Sequence, residues 1–304
     1  MDKKRIAFGY LAYPFTLASY FRHTLEKRED VELFTFGAFT GQLIPWQGGF
    51  NISSKYLNSV NLPLPESIKL PSWEMIKSKL PWQPDLVICC DAGFHLSTKP
   101  DVPYATILTD PHVLGDWYKV GNQHADYVFT MQRYYQKEGE IVLPYCASPD
   151  HHYAMPSIEK DYDASLIGLH YQQRDRLVQA LRNKGYKVLY DLGLIYDEYR
   201  EQNNRAIIGL NWSSLMDINA RTFEIMAMKQ VAVINRLPYL DELGLRENEH
   251  YLGFDTVEEA VEKVDWVKAR PDAAQAIAEN GYQLVHKEHT YEKRIQAIFE
   301  RIGL

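Results

Sequence analysis

Cysteine is nearly absent: the chain has three in 304 residues. Cys89 and Cys90 are neighbours in "PDLVICCD" and face opposite sides of any strand, while Cys146 stands far off. That pattern gives neither a disulfide framework nor a metal-ligand spacing, and a reducing, cytosolic setting is expected. A run of about 18 apolar residues, the minimum for a membrane-spanning helix, is also missing. The opening "MDKKRIAFGYLAYPFTLASYF" has the basic start and apolar stretch of a signal peptide. Pro14, three tyrosines and the lack of a small-residue cleavage pattern spoil that reading. Basic excess is lacking too: 33 Lys and Arg stand against 40 Asp and Glu, a net charge of −7. Broad binding to a phosphate backbone needs a basic face, although one small anion held by local donors remains compatible. There is no G-x-S-x-G elbow for a nucleophilic serine, no dinucleotide fingerprint among the isolated Gly-x-Gly fragments, and no long internal repeat.

What is present is an ordinary globular composition, 46% hydrophobic and 24% charged, with 21 tyrosines. Short β-rich apolar runs alternate with helix-period segments, the pattern of parallel α/β construction. In the first half, strands are expected at Arg5–Gly9, Val31–Phe36, Leu86–Cys90, Tyr104–Leu108 and Tyr127–Phe129, with a helix over Phe15–Lys27. Gly37 to Pro81 reads as a long Pro- and Gly-rich loop, a length usually functional in a compact domain. Three prolines in "LPYCASPDHHYAMPSIEKDYD" suggest a linker. Alternation then restarts with "DASLIGL", a helix over "QQRDRLVQALRNKG" stopped by Gly185, and the strands "YKVLYD", "AIIGLNWS" and "VAVIN". Thr256 with Glu259 resembles a capping box, and Pro271 suits the first position of the next helix. The expected organisation is residues 1–155 and 156–288 as two Rossmann-like domains, followed by a terminal helix over 289–304.

In doubly wound sheets, ligands gather at the carboxyl ends of strands. The polar residues following the strands are therefore the candidates: Asp91, Gly93 and His95; Asp110 and His112; Gly168 and His170; Asn211 to Ser214. The stretch "NARTFEIMAMKQVAVI" adds an amphipathic helix carrying Arg221 and Glu224 three apart, with Asp217 or Asn219 placed to cap it. A helix N-terminus with an arginine suits a diphosphate. A glutamate one turn on suits a vicinal diol such as a ribose. Asp110 and His112 are candidates for general-base work. The D-x-D at Asp161–Asp163 precedes a strand rather than ending one, and His286 with His289 lacks a carboxylate, so no metal site is expected.

These residues also resemble a known family. "RTFEIMAMKQVAVI", "DASLIG", "RDRLVQAL", "LNWS" and "HTYEKR" are similar, in this order, to the C-terminal domain of group 1 glycosyltransferases, especially the CgeB-like branch. The resemblance covers about Asp163 to Arg294 and extends faintly to "TDPH". It implies a GT-B fold of two Rossmann-like domains, the last helix crossing back to the N-terminal one. It also implies a nucleotide-diphosphate sugar as donor substrate, no separate cofactor, Glu224 on the donor ribose, and Arg221 and Arg174 near the diphosphate. Lys229 stands where the wider family usually has Gly, and Met216 where it has an acid, with Asp217 the nearest substitute. The acceptor stays open and includes a modified nucleic acid base. A sugar-nucleotide epimerase and a nucleotide-sugar sensor are the alternatives.

Overall fold

The computed structural model describes residues 3–12, 16–38, 43–44, 50–51, 59–65, 67–68, 70–90 and 94–304. Asp91 and Gly93 lie outside them. The chain forms two compact units: Met1–Pro144 together with Tyr291–Leu304, and Tyr145–Thr290.

In the first unit the elements run β1 (Lys4–Gly9), α1 (Ala18–Lys27), β2 (Val31–Ala38), β3 (Leu43–Ile44), β4 (Phe50–Asn51), β5 (Leu62–Leu64), α2 (Trp73–Lys77), β6 (Leu86–Cys90), β7 (Tyr104–Leu108), α3 (Gly115–Gly121), β8 (Tyr127–Thr130) and β9 (Ile141–Val142). Seven of these strands form a sheet in the order β5-β2-β1-β6-β7-β8-β9, parallel at every pairing. β6 and β7 are buried at every position, as expected of parallel strands covered on both faces. The stretch Gly37–Pro81 is therefore not a structureless loop. It contributes β5, paired with β2, and the short helix α2, whose Ser72 side chain accepts from the Met75 amide. Pro63 is admitted because β5 is an edge strand.

The second unit runs β10 (Tyr162–Ile167), α4 (Gln172–Asn183), β11 (Val188–Asp191), α5 (Tyr196–Asn204), β12 (Ala206–Asn211), α6 (Ala220–Ala227), β13 (Val231–Asn235), β14 (Leu252–Phe254), α7 (Val257–Ala269) and α8 (Pro271–Glu288). Its sheet has the order β11-β10-β12-β13-β14, again parallel throughout. The order reverses between β10 and β12, so the loops leaving those two strands diverge around a crevice. In open α/β sheets that is where ligands bind. α6 comes close to the sheet because β12 carries Gly209 beneath it. A Cβ there would lie 2.4 Å from Ile225 Cγ2.

Residues 145–160, expected as a linker straddling the boundary, belong to the second unit. Ala147 pairs with Thr290, and the Asn204 side chain accepts from the Met155 amide at 2.8 Å while donating to the Tyr153 carbonyl at 3.0 Å.

The terminal helix α9 (Tyr291–Ile302) belongs to the first unit. Its inward residues Tyr291, Ile295, Ile298 and Phe299 are fully buried. Tyr291 meets Phe21 of α1 edge-on at 5.0 Å, Arg28 lies over Phe299 and pairs with Glu292, and Arg294 Nε donates to the Pro144 carbonyl at 2.6 Å. Each unit is thus an α/β fold on a parallel sheet.

Candidate functional site

The crevice between β10 and β12 in the second unit is built from three segments. β10 ends at Ile167, and Gly168 follows with φ +147, a conformation that side chains rarely adopt. A Cβ on Gly168 would also lie 2.0 Å from Arg221 Nη2. The glycine is therefore required twice, by its backbone and by the guanidinium lying across it.

β12 ends at Asn211, which is fully buried and acts as a hub. Its amide donates to Asn219 Oδ1 at 3.1 Å and to Thr222 Oγ1 at 3.2 Å, and its Oδ1 accepts from Arg221 Nη1 at 3.2 Å. Asn219 occupies the N-cap position of α6, yet its side chain makes no capping bond. It donates instead to Ser213 Oγ at 2.7 Å. Of the two residues expected as caps, Asn219 therefore holds the cap position without capping the helix. The helix start is thus tied to the end of β12 by side chains, and its first-turn amides receive no side-chain cap.

Arg174, on the first turn of α4, is buried and only 4% exposed. Nε donates to the Trp212 carbonyl at 2.9 Å and Nη1 to the Leu169 carbonyl at 2.7 Å, so the guanidinium ties together the loops after β10 and β12. Its face lies 4.6 Å over the Tyr171 ring. Burial, reinforced by the positive charge of Arg221, pushes Arg174 down to about 9, where it still carries its charge at neutral pH. Asp217 is the carboxylate whose charge opposes that shift. The Arg221 guanidinium, close enough to depress Arg174, adds to it a positive potential that a dianion would relieve.

Glu224 lies one turn beyond Arg221, with 13% of its side chain exposed. The Tyr199 hydroxyl on α5 donates to its Oε2 at 2.8 Å. Its Oε1 faces Nε2 of His152 at 3.6 Å, longer than a hydrogen bond. Burial raises the carboxyl above the usual glutamate range, opposed by the Tyr199 hydrogen bond and the Arg221 charge. His152 is fully buried, and burial, with the Arg200 charge, pushes it down to about 3. Its Nδ1 accepts from the Ser148 amide at 3.2 Å, so the neutral ring carries its proton on Nε2, facing Glu224. Beside the crevice, His170 stacks on Tyr190 with centroids 3.9 Å apart, and the Tyr190 hydroxyl donates to Asp175 Oδ1 at 2.7 Å.

The structure therefore brings Gly168, Asn211, Arg221 and Glu224 together, with Arg174 behind them, Asp217 near Arg174 and His170 at the side. Asp110 and His112 belong to the other unit. There Asp110 opens a turn after β7, its carbonyl accepting from the Val113 and Leu114 amides, and His112 stacks on Tyr135 at 4.6 Å. His95 is buried beneath Gly121, and burial pushes it down to about 4. The D-x-D carboxylates are engaged structurally: Asp161 pairs with Arg205, and Asp163 with Lys268. His286 and His289 face the carbonyls of Ala227 and Leu243. Among the described residues no group of three His, Cys, Asp or Glu could hold a metal ion.

Tyr199, His152 and Tyr190 were not apparent from the sequence. Tyr199 sits in the polar "YDEYREQNN" and His152 in the expected linker, and neither belongs to a motif.

Comparisons with known proteins agree with this architecture. Residues 154–300 match a family described as "Glycosyl transferase-like". Among curated proteins, no sequence matches the chain. Sucrose-phosphate synthase from Thermosynechococcus elongatus superposes over 99% of both chains with a TM-score of 0.61 and 12% identity. HepE from Anabaena, solved in complex with UDP, does so over 99% of both chains with a TM-score of 0.65 and 10% identity. A UDP-N-acetylglucosamine 2-epimerase matches over 100% of this chain and 97% of its own, with a TM-score of 0.57 and 11% identity. At these identities the likeness establishes a shared GT-B fold. Among the described residues no helix is long and apolar enough to cross a membrane.

Proposed function

We propose that the chain is a group 1-type glycosyltransferase of the CgeB-like branch, which moves a sugar from a nucleoside-diphosphate donor to an acceptor hydroxyl or amine. The observation that carries this reading is Arg221, lying across Gly168 at the strand-order switch, at the start of α6, whose N-cap side chain makes no capping bond, and one turn from Glu224. A diphosphate would take the Arg221 guanidinium and the α6 amides, and a ribose would take Glu224. The family match over 154–300 and the UDP complex of HepE support a nucleotide-sugar donor.

In the reaction the bond from the sugar's anomeric carbon to the diphosphate breaks and a bond to the acceptor atom forms. The acceptor's proton leaves to a base, for which Asp110 and His112 at the end of β7 are the proposed groups. Negative charge grows on the departing diphosphate, where Arg221, backed by the Arg174 charge, would stabilise it. Neutralisation by these cations makes the reaction metal-independent in this reading.

The match to the epimerase favours one rival, in which the same donor site serves isomerisation without an acceptor. Thermal-shift titration of the full chain with UDP, GDP and ADP tests the shared donor site. One of them at 100 times its dissociation constant should add about 2.7 kcal/mol of stability, and Arg221→Ala should reduce the shift. No shift with any of them would overturn the reading.

A further inference from the structure

Tyr199 is the residue in this crevice whose position the donor reading does not yet explain. It comes from α5, and it is 8% exposed. Its hydroxyl donates to Glu224 Oε2 at 2.8 Å and also interacts with the Arg221 guanidinium. The ring meets His152 edge-on at 5.9 Å, and His152 in turn presents its Nε2 to the other Glu224 oxygen. One phenol thus joins the cation proposed for the diphosphate to the carboxylate proposed for the sugar ring of the nucleoside.

A carboxylate has about four acceptor positions over its two oxygens. Tyr199 occupies one on Oε2 and fixes the rotation of the group, which is otherwise soft about its last torsion. Held so, Glu224 keeps an acceptor position on each oxygen, the complement of two adjacent hydroxyl donors. Without the phenol the carboxylate could turn to Arg221 one turn away, closing on itself the two groups that a donor must separate.

We propose that Tyr199 is a positioning residue: it holds Glu224 and Arg221 apart and oriented, and so makes the site selective for ribonucleoside over 2′-deoxyribonucleoside diphosphates. This rests on the donor reading above. Tyr199→Phe removes one oxygen and nothing else. The full chain is titrated calorimetrically with UDP and 2′-deoxy-UDP, and with the GDP and ADP pairs, in the wild type, Tyr199→Phe, Glu224→Gln and the double variant.

The wild type should prefer the ribo form by about tenfold or more, the range of a charge-assisted hydrogen bond. Tyr199→Phe should bring the ratio close to that of Glu224→Gln, and the double variant should lose no further discrimination. Placing p-aminophenylalanine at 199, which restores a donor at the same ring position, should restore the ratio. Tyr199→Phe with a wild-type ratio would overturn the proposal, as would failure of p-aminophenylalanine to restore it. If Tyr199→Phe does not fold, the p-aminophenylalanine chain decides alone: a retained ratio supports the positioning role and a lost one contradicts it. A wild type that binds the diphosphates without preferring ribose overturns this inference only. A wild type that binds none of them overturns the donor reading itself.

Discussion

The Arg221 guanidinium lies across Gly168, so closely that a Cβ on the glycine would be 2.0 Å from Nη2. That one relationship links the end of β10 to the start of α6 and places a cation at the sheet's switch point. It gives a direct test. Gly168→Ala meets both this overlap and a backbone at φ +147, a conformation costing roughly 1–3 kcal/mol for a residue with a side chain. The variant should fold less stably and bind nucleoside diphosphate at least about tenfold more weakly, the displaced arginine being worth a charged hydrogen bond. Wild-type affinity would show that Arg221 can leave Gly168 without consequence.

Glu224 should oppose stability while serving binding. Its carboxyl is raised by burial in the folded chain, so between the unfolded and folded values the native state holds more protons than the unfolded state. Stability therefore falls as pH rises through that window, and the full penalty is present above it. Glu224→Gln should be at least as stable as the wild type at pH 7, with the gap closing below the ordinary glutamate range. Nucleoside diphosphate binding should weaken by roughly 1–3 kcal/mol. Denaturant melts at several pH values, paired with calorimetry, would show it; a variant that loses stability at neutral pH and keeps its affinity would contradict both halves.

Lys229 closes α6 with φ +60, the Gln230 amide bonding the Ile225 carbonyl and its own amide that of Met226, a Schellman ending. The lysine pairs with Glu279 at 2.5 Å across a partly exposed surface. Both Lys229→Gly and Lys229→Ala lose that pair, which removes it from the comparison. The glycine variant should be the more stable by about 1 kcal/mol, because only glycine enters the left-handed region without strain. Equal melting of the two would show that the turn relaxes.

The terminal helix should matter to the unit that begins the chain. Ile295, Ile298 and Phe299 are buried, and burial of such side chains is worth about 1.5–3 kcal/mol each, a large share of the roughly 5–15 kcal/mol that holds a domain folded. Deleting Tyr291–Leu304 should strip hydrogen-exchange protection from β1 and α1. Undisturbed protection there would contradict the packing.

The legible part of the fold was the part written in local pattern. β6 and β7 were readable as apolar runs with their observed bounds, and Pro271 and Gly185 as helix punctuation. Arg221 and Glu224 stood out because a core helix has no need of them. Tyr199 and His152 were hidden because α5 and the segment at 145–155 meet α6 only through tertiary packing, which no spacing records. Asn219 misled for a related reason. Its type and position suit a cap, but Asn211 and Ser213 offer better partners once β12 and α6 are assembled. The stretch Gly37–Pro81 looked like a loop because β5 is a three-residue edge strand around a proline, too short to show periodicity.

The most direct test of the account is release of nucleoside diphosphate from UDP-, GDP- and ADP-sugars, with and without mixtures of polysaccharide, lipid, protein, small-molecule and modified-base acceptors. One donor should be turned over only when an acceptor is supplied, and EDTA should leave the rate unchanged. Arg221→Ala should lower kcat by at least about tenfold, or roughly 1.4 kcal/mol, more than it weakens donor binding, since its charge is needed most as the diphosphate departs. Arg221→Lys should recover part of the rate, because a point charge lacks the guanidinium fork. A donor that binds tightly yet is never turned over with any acceptor class, or activity that EDTA abolishes and a divalent cation restores, would contradict it.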